Sequence, residues 1–295
     1  IVVYMTKIGL DSKNGNNLTQ EKNLDKEVIL KINRIISEGK DKLHIITDFD
    51  RTLTITAQGK KGGSSFAVLR EGGIMPKEYI VESGQLYEYY RPIETATDLT
   101  LKVKQEKMAE WWTKHAQLMA RFGMTKTLLE SIADNPALQL REGCIEFFKR
   151  AESLNIPILI FSAGLGDVIK AFLKKHLIYS KNVHILSNFY TFDEKGKAIG
   201  YEYGPIHSLN KNEVVLKDTP YAHEIKKRPH VLLMGDTLED ARMAAGVSHD
   251  TVLKICFLNE ETARENLKPY KDNFDIILND KSSMELPMKI LEQLS

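Results

Sequence analysis

Short apolar runs without polar alternation are the feature that most restricts how this chain can fold. These runs occupy residues 43–47, 156–161, 183–187, 230–235, 251–258 and 274–278. A strand needs such an unbroken run when both of its faces are covered, as in a parallel sheet between helices. Between the runs lie amphipathic segments at about 143–154, 167–177, 238–245 and 260–268. This order predicts βαβ units, and therefore an α/β fold on a Rossmann-like parallel sheet.

Residues 188–204 depart from this pattern because their strand-like arms are aromatic. The stretch reads NFYTFDEKGKAIGYEYG, and its DEKGK centre is typical of a tight turn. We therefore predict a β-hairpin at this point in the chain.

Residues 60–140 break the alternation a second time. A Gly-rich lead-in, GKKGGSS, is followed by helical patterns at about 76–90, 102–122 and 125–134. We predict a helical cap domain at 60–140, inserted into a discontinuous catalytic core of residues 22–59 and 141–295. Polar and Asn-rich composition over much of residues 1–21 predicts a flexible N-terminal segment.

Charge and composition argue against several kinds of partner. The chain has 41 basic and 40 acidic residues, a net charge of +1, which gives no overall field to attract nucleic acid or a membrane surface. No stretch approaches the ~18 apolar residues of a membrane span.

The two cysteines, Cys144 and Cys256, lack metal-site spacing and are interpreted as buried thiols of a reducing compartment. We expect a cytoplasmic monomer that binds a small molecule.

Two aspartates directly follow the first apolar run, in HIITDFDRTLT at residues 44–54. Ligands of parallel α/β sheets bind beyond the carboxyl ends of the strands, where Asp48 and Asp50 are expected to lie. Two carboxylates so close together favour a bound cation, and oxygen ligands suit Mg²⁺. An aspartate can also act as a nucleophile that forms an aspartyl-phosphate. The structural alternative is an Asp turn followed by a capping Thr.

Three further stretches place polar residues after strand-like runs. SAGLGD at 162–167 combines a hydroxyl, Ser162, with a Gly-rich loop (Ala163 and Gly164), which is a candidate anion site. DTLED places Asp236 and Asp240 at the end of another predicted strand, where helix capping is the alternative. Lys211 follows the hairpin in HSLNKNE, and by itself it is typical of a solvated surface lysine.

Taken together, these residues occur in the order D-x-D-x-T, Ser, Lys, G-D-x-x-x-D, which resembles the haloacid dehalogenase (HAD) superfamily of phosphohydrolases. The resemblance implies that Asp48 is the nucleophile and that Asp50 is the general acid and then the general base. It implies that Ser162 and Lys211 bind the phosphoryl oxygens. Such an arrangement meets the need of phosphoryl transfer for an in-line nucleophile and cationic stabilisation.

The same resemblance implies a Mg²⁺ site. The implied ligands are Asp48, the backbone carbonyl of Asp50 and Asp236, with Asp240 assisting. Mg²⁺ is accordingly the expected cofactor.

A second, longer resemblance narrows the family. The chain is similar to the cytosolic 5′-nucleotidase III family, which contains pyrimidine 5′-nucleotidases and 7-methylguanosine phosphate nucleotidases. The similarity extends from about residue 22 to the end of the chain and is carried by IITDFDRTLT, YEYYRPIE, EWWTKHAQLM, IPILIFSAGLGDVI, SNFYTFDEKG, IHSLNKNE, LLMGDTLEDARMA and FDIIL. It implies hydrolysis of a nucleoside 5′-monophosphate under a cap that closes over the site.

Four residues of the predicted cap correspond to substrate positions in that family. Glu94 matches a glutamate that contacts the nucleotide, and Trp112 matches a position that is Tyr in the pyrimidine branch and Trp in the 7-methylguanosine branch. Phe66 lies near a position facing Trp112 across the base, where a cationic base would gain cation–π attraction. His115 replaces a Ser of the pyrimidine branch. The sequence thus leaves CMP and UMP versus 7-methyl-GMP open.

Other functions remain as alternatives. A HAD phosphatase or nucleoside phosphotransferase of different specificity would use the same residues. A receiver-like signalling domain also clusters Asp, Ser or Thr and Lys around Mg²⁺, but it is shorter and lacks a general acid two residues after the nucleophile. A non-catalytic nucleotide-binding protein is disfavoured because every catalytic residue type is present.

Overall fold

A computed structural model describes residues 25–56, 64–71, 73–211, 219–258 and 267–295 of the chain. The predicted flexible segment 1–21 and most of the predicted amphipathic segment 260–268 lie outside these ranges. In chain order the strands are β1 (Leu43–Thr47), β2 (Thr54–Thr56), β3 (Leu138–Leu140), β4 (Ile158–Leu165), β5 (Val183–Asn188), β6 (Tyr190–Phe192), β7 (Ala198–Tyr201), β8 (His230–Gly235), β9 (Thr251–Leu258) and β10 (Ile276–Asn279).

The α-helices connect and flank these strands. In chain order they are α1 (Lys26–Glu38), α2 (Ser65–Glu71), α3 (Lys77–Thr95), α4 (Leu101–Arg121), α5 (Lys126–Ser131), α6 (Cys144–Ser153), α7 (Gly166–Lys175), α8 (Pro220–Ile225), α9 (Leu267–Asn273) and α10 (Glu285–Glu292). Short 3₁₀ turns lie at Lys40–Lys42, Ile132–Asp134, Ser208–Asn210 and Asp240–Arg242.

The central sheet has six parallel strands in the order β10-β9-β8-β1-β4-β5. Strand β1 therefore lies in the middle, with Ile46 paired to Leu159 of β4 on one side and to Leu233 of β8 on the other. The predicted α/β fold with a parallel sheet is confirmed. Because all six strands run the same way, their carboxyl ends meet at one edge of the sheet.

Both faces of the sheet are buried, which explains the unbroken apolar runs. Ile45 belongs to one hydrophobic cluster together with Leu232, whereas the next residue, Ile46, belongs to a second cluster together with Leu233. Successive side chains of a strand point to opposite faces, so a strand between two layers of helices is apolar at most positions, with buried polar exceptions such as His44 in β1.

The long helices α3 and α4 lie in the chain between β2 and β3. Thr100 caps α4 by accepting a hydrogen bond from the backbone N–H of Val103, and Gly123 follows its end with φ +73°. Helix α3 continues through Pro92 to Thr95, beyond the predicted end at about residue 90. Tyr90 of α3 and Met108 and Trp111 of α4 form a small aromatic cluster.

The hairpin prediction is confirmed by β6 and β7, which pair antiparallel around a turn containing Gly196 at φ +74°. The amphipathic segment predicted at 238–245 is not an α-helix. It holds the 3₁₀ turn Asp240–Arg242, and the backbone N–H groups of Arg242, Met243 and Ala245 bond to carbonyls three residues back, as in a 3₁₀ helix. The helices α1, α2, α8 and α10 and the pair β2 and β3 were not predicted.

Candidate active site

A cavity of about 270 Å³ opens at the carboxyl edge of the sheet, next to the ends of β1, β4 and β8. Every side chain that the sequence analysis singled out for catalysis, metal or substrate lines this one cavity: Asp48, Asp50, Phe66, Glu94, Trp112, His115, Ser162, Ala163, Gly164, Lys211, Asp236 and Asp240. The polar members lie at the sheet, except for Glu94 of α3, and the aromatic ones come from α2 and α4. The cavity therefore has a charged end and an aromatic end.

Asp48 is placed at the charged end by β1, and its backbone N–H donates to the carbonyl of Met234 in β8. Its side chain is buried, and the Lys211 ammonium lies 2.6 Å from its Oδ1. Burial is the largest influence on the pKa of Asp48 and raises it to about 7, in spite of the opposing charge of Lys211. The second lysine contact, 3.0 Å to Asp240 Oδ1, makes Lys211 a bridge between two acidic residues.

The carboxylates of Asp48, Asp236 and Asp240 form a compact buried group whose ligand atoms lie within 4.8 Å of one another. Burial, together with Asp240 and Asp48, raises the pKa of Asp236 well above its usual value. Three carboxylates packed this closely repel one another when they are ionised, and a bound cation would relieve that repulsion. A hard divalent cation with a preference for oxygen ligands fits this group.

Asp240 is held from the opposite side to Lys211. Its Oδ2 accepts hydrogen bonds from the N–H of Asp236 (3.1 Å) and from the N–H and hydroxyl of Thr237 (3.0 and 2.8 Å). This close approach requires glycine at position 235, where an added Cβ would lie 2.3 Å from the Cβ of Asp240. The G-D-x-x-x-D spacing is thus explained by packing as well as by charge.

Asp50 points away from the acidic group and towards α2. Its two carboxylate oxygens accept hydrogen bonds from the N–H of Ser65 (2.9 Å) and the hydroxyl of Ser65 (3.2 Å). Burial raises the pKa of Asp50, which favours a protonated carboxyl able to donate a proton. The side chain of Asp50 does not belong to the cluster of possible metal ligands, and the predicted ligand at this residue is its backbone carbonyl.

The carboxyl end of β4 borders the space beside Asp48 and Asp50. The strand continues to Leu165, past the predicted loop start at Ser162, with an irregular register after Phe161. Ser162 is buried, and its hydroxyl accepts from the N–H of Gly164 at 3.0 Å. Asn188 supports this end of β4 by donating to the carbonyl of Ala163 at 2.8 Å. A Cβ at position 164 would lie 2.9 Å from Asp50 Oδ2, so only glycine lets this backbone pass so close to the carboxylate.

At the aromatic end, Phe66 of α2 and Trp112 of α4 stack with ring centroids 5.3 Å apart and planes at 25°. The His115 ring packs edge-on to Phe66 at 5.1 Å, and its Nε2 lies 2.9 Å from the hydroxyl of the buried Tyr79. The neighbouring Trp111 stacks instead on Tyr90, outside this pair.

Glu94 joins the two ends of the cavity. Its carboxylate accepts a hydrogen bond from the hydroxyl of Ser208 at 2.6 Å, and its other oxygen pairs with Arg91 one helical turn earlier. Ser208 lies three residues before Lys211 in the chain. The glutamate predicted to contact the nucleotide is therefore linked to the segment that carries the lysine.

Two contributors to the site were missed in the sequence. Ser65, the partner of Asp50, lies in the Gly-rich lead-in that was read as a linker; the paired serines SS before an apolar run were the available signal. Arg141 is 2% exposed, and its guanidinium donates to backbone carbonyls of two loops: Arg51, Thr52, Asp280 and Ser282. It holds the backbone directly after Asp50, where Arg51 adopts φ +65°.

In this parallel sheet D-x-D directly follows the central strand β1, and Lys211 bridges its first aspartate to Asp240 after β8. The Ser162 hydroxyl lies on the other side, at the end of β4. These features define a HAD-class phosphohydrolase. A HAD family hydrolase from Salmonella enterica shares the fold, with a TM-score of 0.55 at 15% identity over 87% of this chain and 73% of its own. Within this class the chain belongs to the pyrimidine 5′-nucleotidase (UMPH-1) family, whose model matches residues 51–295.

Curated relatives and a solved structure agree with that family. A 7-methylguanosine phosphate-specific 5′-nucleotidase of Drosophila melanogaster is 36% identical over 88% of this chain and 82% of its own. The Homo sapiens protein of the same name is 34% identical over 87% of this chain and 86% of its own. The crystal structure of cytosolic 5′-nucleotidase IIIB bound to cytidine has a TM-score of 0.82 at 36% identity over 90% of each chain. The resemblance identified in the sequence is confirmed, and the chain is a 5′-nucleotidase-family enzyme.

Among the residues that the structure describes, no helix has both the length and the apolar character needed to cross a membrane.

Proposed function

We propose that this enzyme hydrolyses nucleoside 5′-monophosphates, CMP and UMP or 7-methyl-GMP, to nucleoside and phosphate. The observation that carries the proposal is the cavity with two unlike ends, Asp48 and Lys211 at one and the stacked Phe66 and Trp112 at the other. A nucleotide has the same two ends, a phosphate dianion and a flat base. The names of the relatives agree with this substrate class.

Asp48 is the proposed nucleophile. Its Oδ attacks phosphorus, an O–P bond forms, the bond from phosphorus to the nucleoside O5′ breaks, and an aspartyl-phosphate results. Asp50 gives its proton to O5′ as that oxygen leaves. Water then attacks the aspartyl-phosphate while Asp50 takes a proton from it, which regenerates the Asp48 carboxylate and releases phosphate.

Lys211 and Ser162 bind the phosphoryl oxygens in this proposal. The Lys211 ammonium also compensates Asp48, which otherwise would repel an incoming phosphate. Burial alone would lower the pKa of Lys211, but the carboxylates of Asp240 and Asp48 raise it, so the charge is permanent. Gly164 and Ala163 leave room for the phosphate beside this pair.

Mg²⁺ is the proposed cofactor, held by Asp48, Asp236 and Asp240 with the backbone carbonyl of Asp50. When bound it would offset the negative charge of the buried acids and of the phosphate. The fit of the site rests on the three buried carboxylates, whose mutual repulsion a divalent cation would relieve.

The helical segment 60–140 is the proposed cap domain, and residues 22–59 and 141–295 are the proposed core. This division agrees with the cavity, which receives Phe66, Glu94, Trp112 and His115 from the insertion and its acids from the strands. Excluding water from such a closed site would favour the chemistry.

The proposed location is the cytoplasm, as the name of cytosolic 5′-nucleotidase IIIB suggests. The monomeric state expected from the sequence stays a prediction.

Base preference is the finer part of the proposal. The Glu94 carboxylate would accept a hydrogen bond from the edge of the base. His115 would stand where the pyrimidine branch has a serine. The test is phosphate release from CMP, UMP, AMP, GMP and 7-methyl-GMP, with Mg²⁺ and with EDTA. Preference for 7-methyl-GMP would assign Trp112 to cation–π recognition, and preference for CMP and UMP would make it a packing residue. Absence of metal-dependent release from all five would contradict the proposal.

A further inference from the structure

The short segment from Ile206 to Lys211 contacts both the strands of the sheet and the long helices α3 and α4. Its first residue is fixed to the sheet, since Asn188 accepts from the N–H of Ile206 and donates to its carbonyl, both at 2.8 Å. Its last residue, Lys211, binds Asp48 and Asp240. The first end of the segment is therefore held by β5, and the other end by carboxylates that follow β1 and β8.

The middle of the segment is held by α3 and α4 instead. The Leu209 side chain packs against the cluster of Tyr90, Met108 and Trp111. The Leu209 carbonyl accepts a hydrogen bond of 2.8 Å from the side-chain amide of Gln105 in α4. The preceding hydroxyl, on Ser208, donates to Glu94 in α3. Two consecutive residues thus contact both long helices.

Lys211 follows Leu209 by two residues, which limits how independently the two can move. Asn210 between them is tied back to the segment, because its side chain accepts from the N–H of His207 and donates to the carbonyl of Pro205. A shift of α4 relative to the sheet would pull on Leu209 and be transmitted to the lysine through this short, hydrogen-bonded turn. Gln105 and Leu209 themselves are not among the residues that line the cavity, whereas Ser208 and Glu94 are.

We propose that Gln105 and Leu209 are positioning residues for Lys211, so that the ammonium is aligned on Asp48 only when α4 is docked on the 208–210 turn. The proposal rests on the proposed function, in which Lys211 binds the phosphoryl group. It gives the helices a role in the phosphate chemistry in addition to enclosing the base. A misplacement of an ångström or less at such a group is enough to lower the rate by about 10-fold to 100-fold.

Gln105→Leu tests this directly, because it removes the donor to the Leu209 carbonyl and keeps a good helix former. Gln117→Leu is the matched control, since Gln117 is an exposed residue of the same helix. Gln105→Glu is the second variant, in case the first fails to fold; it keeps the shape of the side chain and removes the donor. Thermal unfolding of each variant verifies the fold.

Two readouts are compared: kcat on the best nucleotide, and the Kd of inorganic phosphate in the presence of Mg²⁺. We expect Gln105→Leu to lower kcat by about 10-fold and to weaken phosphate binding by about fivefold, with Gln117→Leu unchanged. Phosphate has no base, so its weaker binding would not come from altered base contacts. A merely structural role of Gln105 would leave phosphate affinity unaltered.

The decisive comparison repeats the phosphate measurement in a Lys211→Met background. If Gln105 acts through Lys211, adding Gln105→Leu to that background changes the Kd by less than about twofold, because the effects are coupled. The proposal would be overturned if Gln105→Leu changed the Kd of phosphate by the same factor in both backgrounds. It would also be overturned if Gln117→Leu had the same effect as Gln105→Leu, or if Gln105→Leu left kcat and Kd unchanged. If the wild type binds phosphate in this Gln105-dependent way but hydrolyses no nucleotide, the proposed function fails while the positioning role stands.

Discussion

Phe66 and Trp112 stack directly on each other, with ring centroids 5.3 Å apart. A base sandwiched between them needs a ring separation of about 7 Å, because it makes two contacts of about 3.5 Å each. A base can therefore enter between the two rings only if Phe66 or Trp112 moves from this position. The sequence predicted that Phe66 and Trp112 face each other. The structure places the two rings together, with no space for a base between them.

Trp112→Leu is expected to reduce kcat/KM for nucleotides by about 10-fold to 100-fold, since stacking on one aromatic ring is worth about 1–3 kcal/mol per base. The loss should be larger for 7-methyl-GMP than for CMP, because the methylated base is a cation and also loses cation–π attraction. Steady-state kinetics with both substrates measure the difference. Trp112→Tyr is the control that keeps a ring, and equal losses with the two bases would exclude cation–π recognition.

Asp48→Asn should abolish turnover, by about 10⁴-fold or more, because an amide cannot attack phosphorus. The fold should survive, since burial already disfavours the charged form of Asp48 and raises its pKa to about 7. Phosphate release and thermal unfolding are measured on the same preparation. Undiminished turnover would remove Asp48 as the nucleophile, and a lost fold would make the result uninformative without Asp48→Glu beside it.

Mg²⁺ should stabilise the folded enzyme through the three buried carboxylates. At about 100 times its Kd a ligand adds about 2.7 kcal/mol, which raises Tm by several degrees in a chain of this size. Thermal unfolding with Mg²⁺ and with EDTA measures the shift. In Asp236→Asn the shift should be largely lost, while Asp98→Asn, an exposed residue before α4, should keep it. An unchanged shift in Asp236→Asn would place the metal elsewhere.

Much of the charged end of the site follows from sequence because it follows from topology. Asp48 and Asp236 come directly after apolar runs, and parallel strands bring such positions to one edge whatever the rest of the chain does. The β1 and β8 boundaries were predicted from the runs alone. The family resemblance then supplied Lys211, which no local pattern distinguishes from a surface lysine.

Other parts of the site depend on contacts between distant segments and were not predictable in this way. Ser65 reaches Asp50 only because α2 packs over the end of β4. Arg141 looks like a surface residue in QLREG, yet two remote loops bury it. The segment 238–245 has a helical apolar period, yet its backbone bonds run three residues back, as from the N–H of Met243 to the carbonyl of Asp240, and the apolar period does not distinguish this from an α-helix.

Gly164→Ala is expected to lower both stability and activity. Its Cβ would meet Asp50 Oδ2 and Ser65 Oγ at 2.9 Å and Ser162 Oγ at 3.1 Å, so the acid must move away from its serine. Overpacking of this kind destabilises by about 1–3 kcal/mol. Urea unfolding and kcat are the measurements. Gly84→Ala is the control, because a methyl there meets nothing within 4 Å and α3 should gain about 1 kcal/mol.

The buried His44 imidazole is expected to make the free energy of unfolding depend on pH. It lies in β1, fully buried, with Nδ1 2.6 Å from the hydroxyl of Tyr221 and its ring 5.3 Å from that of His249. Burial lowers the pKa of His44 well below 6.5, and His249, Arg228 and His230 lower it further. The folded state therefore keeps His44 neutral at a pH where the unfolded chain takes up a proton.

Because the unfolded state binds the extra proton below about pH 6.5, the free energy of unfolding falls as pH falls, by up to ~1.4 kcal/mol per pH unit. Between pH 7 and pH 5 this one group should remove about 2 kcal/mol. Urea unfolding at several pH values measures the slope for wild type, for His44→Asn, and for His223→Asn as an exposed control. We expect a shallower slope only in His44→Asn, and identical slopes in all three would show that another group controls acid stability.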